Sequence, residues 1–407
     1  MRKFRFATAI RNFSRRKGGA ERYLVDLCHW MAREGIEVHV YAEDWDGVTG
    51  DIHLHRIQTI SFPRSLRLLS FARRATREIE TGPYDISLGV GNTLRADILQ
   101  PHGGVHWAWF WRSLRAYTSW FRWNLKLLGR ALSLKQWVSG YIEDAPYRAK
   151  SRPRVIAISD MVRQDIIRWY RISLDEIAVV YNGVNVDRFH PRDRRYREEV
   201  RAWHGIGEEN LFLFVSNNFK MKGLGFLIRA LADLKENKAI EGSFRLLILG
   251  RDRPGPYLRL AREMGISKEV IFAGMTEEPE KYYGAADLLI HPTFYDACSL
   301  TVLEAAATGL PVLTTVFNGA SGVLDPGRNW ILSDPGDVGQ LRAAILDFLR
   351  KKEAGLLVPP AEERADNLSE EKNFDRMLAI FEETLQSKLR RGQSASILRR
   401  NTATEDR

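Results

Sequence analysis

Two patterns alternate along this chain: short, almost wholly apolar runs, and longer stretches with apolar residues at helical spacing. Phe4–Ile10, Ile36–Ala42, Ile52–Ile57, Ile86–Val90, Ile98–His102, Val155–Ser159 and Ile177–Tyr181 read as buried strands. Helical spacing fills the gaps, at about Ala20–Glu34 and in the basic stretch Leu66–Glu80. The rhythm restarts further on, with Leu211–Ser216, Arg245–Gly250, Val270–Ala273, Leu288–His291 and Val312–Thr315 as strands. Helices around Gly223–Lys235, Pro256–Met264 and Glu278–Ala285 separate these. Strands alternating with helices predict parallel, doubly wound sheets whose ligands gather at the strands' C-terminal ends. The expected class is α/β, with two Rossmann-like domains.

Length agrees with two domains, since 407 residues exceed one ordinary core. The charged connector RDRRYREEVRAWHG puts the boundary near residue 190, giving domains 1–190 and 191–372. An amphipathic helix follows at Asn373–Leu389 (segment 373–390), and the polar, basic residues 391–407 are expected to form a disordered tail. With 44% apolar and 28% charged residues the composition is that of a soluble globular protein. Two cysteines, Cys28 and Cys298, supply neither a disulfide framework nor metal spacing and fit a reducing compartment. No leader-like core and no run near the ~20 apolar residues of a membrane span is present, so a cytoplasmic location is expected.

Candidate chemistry concentrates in AADLLIHPTFYDACSLTVLEAAATGLPVLTT, residues 285–315. It reads as strand, loop, helix, strand. Asp296 sits ahead of the helix and Glu304 within it, eight residues on, or roughly 12 Å along the axis. Between them the first-turn N–H groups of Cys298, Ser299 and Leu300 offer a seat for phosphate. Two carboxylates flanking such a seat suit an extended nucleotide-sugar. Two acids at this spacing are also common as a helix-dipole charge and a solvated residue, and spacing alone favours that plainer alternative.

Other candidates lie at predicted strand ends. Gly18 and Gly19 let bare backbone approach a diphosphate, although a glycine pair is more often a turn. Lys222 opens a helix before Gly223, where a fixed cation can stabilise a leaving diphosphate. Arg251 and Asp252 end a strand, and Met275 follows another, near where a base would lie. His102 follows a strand, with His106 four residues on and no third ligand nearby for zinc.

These motifs resemble retaining GT-B glycosyltransferases of family four. The resemblance rests on KGGAER, NGV with F-x-P, Asp296-x7-Glu304 in place of the family's E-x7-E, and GLPVLTT. WDG, the K-G helix start and HPTFYDA are similar to bacterial lipopolysaccharide-core hexosyltransferases. The resemblance implies GT-B architecture: two facing Rossmann-like domains with a cleft between them. It implies that Lys222, Asp296 and His102 carry catalysis. Donor contacts would come from Gly18, Gly19, Arg251, Met275, Cys298, Ser299, Leu300, Glu304, Asn318 and Gly319. No metal and no cofactor besides the nucleotide-diphosphate sugar are expected. The family pairs its lysine with an arginine five residues earlier; here that position is Asn217, with Lys220 as a candidate substitute.

Residues 107–137 carry six of the eleven tryptophans, six Lys or Arg and no acid. A purely buried helical pair is improbable with six bases and no acid. Interleaved tryptophan, leucine and base suit a helix lying in a membrane interface, and the net charge of +10 agrees with an anionic partner. An anionic membrane is preferred over nucleic acid, for which no motif is present. The expected enzyme is a peripheral membrane transferase acting on a saccharide or lipid-linked acceptor. A GT-B sugar-nucleotide epimerase, a phosphorylase and a non-catalytic membrane-binding module are the rival readings.

Overall fold

The computed structural model describes residues 4–47, 50–240, 243–358 and 367–405. Its first lobe is built on a seven-stranded parallel sheet. The order is Ile52–Arg56, Glu37–Ala42, Arg5–Ala9, Ile86–Gly89, Ile98–Leu99, Arg154–Ala157 and Ile177–Val179. The second lobe has six parallel strands: Val270–Gly274, Phe244–Leu249, Asn210–Val215, Leu288–Ile290, Val312–Thr315 and Trp330–Leu332. In both sheets the first strand in sequence lies inside, and chain progression reverses beside it. That reversal opens a crevice at the C-terminal strand ends, where ligands bind in such sheets.

Strand composition explains the layering. Helices cover both faces of a parallel sheet, so its strands must be apolar on both sides. Phe6 to Ala9, Leu211 to Phe214 and Leu246 to Leu249 are buried without alternation. Phe6, Leu24, Met31, Val38 and Ile86 anchor the first core; Phe212, Leu227, Ile248, Leu288 and Phe348 anchor the second. A third cluster crosses the seam between lobes through Val105, Ala157, Phe189, Leu213, Tyr283, Tyr295 and Val302.

The final helix, Glu370–Glu405, lays Phe374, Met377, Leu378 and Phe381 into the first lobe's core. Its backbone continues beyond the amphipathic pattern and through most of the segment expected to be a disordered tail. Leucine, arginine, glutamine and alanine there are good helix formers. The sequence pattern also missed the strand Trp330–Leu332 and the helix Val338–Glu353. Residues 107–137 form parts of three helices rather than a pair: His106–Leu114, Trp120–Ala131 and Leu134–Tyr147. No described helix is long and apolar enough to cross a membrane.

Candidate active site

The loop from Asn210–Val215 to the helix Leu224–Glu236 presents Lys222. Gly223 follows at φ +76°, and a Cβ there would run into the Pro292 carbonyl oxygen. Only glycine lets this turn press against the neighbouring strand end. Lys222 Nζ therefore reaches Asp296 Oδ2 at 2.5 Å and donates to the Tyr295 carbonyl at 3.1 Å. Asp296 is fixed through its backbone, its N–H donating to Phe317 O at 2.9 Å and its carbonyl accepting from Gly319 N–H at 2.8 Å. Burial alone would raise the Asp296 pKa, but the charge and hydrogen bond of Lys222 outweigh it and hold the carboxyl below its ordinary value. Beneath the pair, His291 is buried and pushed down to about 3 by desolvation and Lys222, so it is neutral.

The helix carrying Glu304 starts at Leu300, two residues later than the sequence suggested. Ser299 N–H is taken by Asn318 Oδ1 at 3.4 Å, and Cys298 is buried, its thiol pushed up to about 12 by desolvation. The open N–H groups of the first turn are therefore those from Leu300 onward. Gly19 packs against the Leu300 side chain, which brings the first lobe's glycine loop to this helix start. Glu304, only 6% exposed, has both oxygens engaged, by Arg22 Nη1 at 3.0 Å and Tyr283 Oη at 2.9 Å. Burial raises its pKa, with Arg22 opposing.

Arg251 N–H donates to Asn217 Oδ1 at 3.2 Å, and its guanidinium reaches the Arg16 carbonyl of the glycine loop at 3.2 Å. Met275 is exposed one residue beyond Gly274, whose carbonyl accepts from Gly250 N–H at 2.7 Å. Arg251, Met275, Gly18, Gly19 and Leu300 thus border one region between the lobes. Lys220 does not enter it: its Nζ lies 3.3 Å from the Tyr117 ring centroid, toward the aromatic helices.

His102 belongs to a separate wall. It lines a cavity of about 240 Å³ with Glu21, Asn92, Gly103 and Glu143. Its Nε2 pairs with Gln100 Oε1 at 3.0 Å, and burial pushes its pKa down to about 3, so the ring is neutral. Gly104 bridges this wall to the other lobe: Val105 N–H donates to Tyr295 Oη at 2.9 Å, and a Cβ on Gly104 would occupy that hydroxyl's place. His106 turns away; its N–H donates to Glu143.

Sequence reading missed several residues that assemble this region. Arg22, Ser159 and Asn182 cross the seam, Ser159 Oγ donating to the Ala297 carbonyl at 2.7 Å and Asn182 Nδ2 to the Cys298 carbonyl at 3.4 Å, while Tyr283 holds Glu304 from within the second lobe. KGGAER contained Arg22, the one available signal. Pairings over hundreds of residues leave no local pattern.

Comparison with known proteins agrees with this geometry. Residues 17–188 match the "Glycosyltransferase Family 4" model and residues 196–372 the "Glycosyl transferases group 1" model. The chain belongs to the family-four GT-B glycosyltransferases. This glycosyltransferase is 24% identical over 332 residues to the lipopolysaccharide glucosyltransferase WaaG of Escherichia coli, covering 81% of this chain and 85% of that one. It is 25% identical over 359 residues to a D-inositol 3-phosphate glycosyltransferase of Corynebacterium diphtheriae, at 77% and 79% coverage. The WaaG crystal structure superposes with a TM-score of 0.76 at 22% identity, over 92% of this chain and 99% of that chain. Anabaena HepE, solved with UDP and glucose, gives 0.65 at 18%, over 94% and 100%.

Proposed function

We propose that this glycosyltransferase moves a hexose, with retention of anomeric configuration, from a nucleotide-diphosphate sugar to a saccharide acceptor of the lipopolysaccharide-core or lipid-linked type. The observation carrying this reading is the Lys222–Asp296 pair beside the neutral His102 wall. Diphosphate departs against Lys222, Arg251 and the helix start at Leu300, where fixed positive charge and N–H dipoles need no reorganisation. Asp296 orients the transferred sugar, while Gly319 and Asn318 fix Asp296. A neutral His102 suits a hydrogen bond to a sugar hydroxyl better than charge stabilisation. The acceptor hydroxyl attacks from the face the diphosphate leaves, and a departing phosphate oxygen takes its proton. No step in this scheme assigns work to a metal or a resident cofactor.

The acceptor side faces the aromatic helices. Trp120 is 79% exposed, and Phe121, Leu125, Leu128, Leu132 and Trp137 are exposed with it, interleaved with Arg122 and Lys126. Unburied tryptophan and leucine beside bases support peripheral attachment to the anionic cytoplasmic face of the membrane.

A panel of nucleotide-diphosphate hexoses, incubated with truncated lipopolysaccharide cores, tests the reading. Transfer lost in Lys222→Ala supports it; isomerised donor without an acceptor supports an epimerase, and no donor turnover supports a binding module.

A further inference from the structure

The first lobe carries a second cluster of chemistry at the opposite ends of its strands. Glu37 opens the strand Glu37–Ala42, and His39 follows on the same face two residues on. The edge strand Ile52–Arg56 runs parallel with His53 opposite His39 and His55 opposite Tyr41. Glu37, His39 and His53 each offer a ligand atom, all within 4.8 Å of one another. His39 Nε2 lies 3.0 Å from Glu37 Oε1, and the His39 and His53 rings stack at 4.6 Å between centroids. The other nitrogen, Nδ1, is 2.9 Å from His55 Nε2. His55 in turn stacks on Tyr41 at 4.7 Å.

We propose that Glu37, His39 and His53 form a binding site for a divalent transition metal, zinc foremost, that clamps the edge strand to the sheet. Two imidazoles and a carboxylate are the donor set zinc takes, with a fourth position left to water. Magnesium and calcium prefer all-oxygen surroundings. Tetrahedral zinc needs donor atoms about 3.3 Å apart, at bond lengths of about 2.0–2.1 Å. Glu37 and His53 are exposed, so side-chain rotation closes the difference while the strand register stays fixed. Arg5, 3.8 Å from Glu37, is the competing charge, and it is half exposed and easily displaced. His55 supplies what metal-binding histidines commonly have: a partner for the second ring nitrogen that fixes tautomer and ring plane. The site lies at the N-terminal ends of the strands, away from the transfer site at their C-terminal ends, so its role is to stabilise the sheet edge.

Untagged, chelator-stripped full-length protein titrated with zinc chloride, by calorimetry and by thermal unfolding, tests the site. The expected result is one zinc per chain and a rise in Tm that a chelator reverses, because metal bound only by the native state stabilises it. His53→Ala and Glu37→Ala, both at exposed positions, should weaken binding at least about tenfold and remove the rise in Tm; His55→Ala should weaken binding by about tenfold or more. Cobalt in place of zinc should give the visible absorption of a four-coordinate site in the wild type and not in His53→Ala. Absence of saturable uptake, or equal uptake by wild type and His53→Ala, overturns the proposal.

Discussion

Arg22 Nη1 and Glu304 Oε1 meet at 3.0 Å although 282 residues separate them in sequence. The pair joins the glycine-loop helix of the first lobe to the helix of the second lobe whose start faces that loop. Removing one partner of a buried ion pair leaves an uncompensated charge. Arg22→Ala should therefore destabilise the protein by about 3 kcal/mol in chemical unfolding. Arg22→Ala combined with Glu304→Gln should lose less than the sum of the two, because they share one interaction. Burial raises the Glu304 pKa while Arg22 opposes. A carboxyl with a raised folded-state pKa contributes stability at low pH and loses it as pH rises. Without Arg22 that loss grows, so the Arg22→Ala deficit should widen from about pH 5 to pH 8. A pH-independent deficit contradicts this pairing.

The Lys222–Asp296 pair should act on turnover more than on binding. Lys222→Ala removes a cation poised for the leaving diphosphate, and kcat should fall by about 10²–10³ with little change in donor KM. Asp296→Asn should give a smaller loss. Steady-state rates at saturating donor and acceptor decide; a Lys222→Ala enzyme with normal kcat contradicts the assignment.

Glu143 gives a pH signature to the His102 wall. It accepts from His106 N–H and from Tyr170 Oη at 2.5 Å, and burial pushes its pKa up to about 7. The folded protein holds this proton where the unfolded chain has released it. The contribution is complete at low pH and is lost as pH rises through about 7. It amounts to at most about 3 kcal/mol. Glu370, also raised to about 7 by burial, acts in the same window. Glu143→Gln should flatten the fall in Tm between about pH 5 and pH 7 without abolishing it. An unchanged slope removes Glu143 from this role.

The exposed face of Trp120–Ala131 should hold the protein on anionic vesicles. Changing Phe121, Leu125 and Leu128 together to serine should weaken cosedimentation by at least about tenfold, since each buried apolar side chain contributes about 1.5–3 kcal/mol. The fold should be unaffected, because these side chains are already exposed. High salt should release the wild type by screening Arg122 and Lys126. Retention of the triple variant contradicts the assignment of this face.

Phe381 tests the final helix as a brace. Its ring lies 5.4 Å from that of Phe6, fully buried in the first lobe. Phe381→Ala should cost about 3–5 kcal/mol, read as a lowered denaturation midpoint.

The motifs read from sequence were those whose parts are close in the chain. Asp296 to Glu304 spans one loop and one short helix, and Lys222–Gly223 is a single turn, so chemistry and local geometry coincide. The strand Trp330–Leu332 escaped because three residues with one exposed centre carry no buried-run pattern. The third helix of the aromatic segment escaped because its start, Leu134, falls inside the basic run and Pro146 sits within its last turn.

By itself the sequence determined two doubly wound α/β lobes and the family-specific loops at their strand ends, because apolar periodicity and glycine turns act over ten or twenty residues. Only the tertiary structure decided that Glu304 is held by Arg22 and Tyr283, that Lys220 turns to Tyr117, and that His39 stands over His53. Those pairings are set by how sheets cross over and how lobes pack, and packing joins residues that are strangers in the chain.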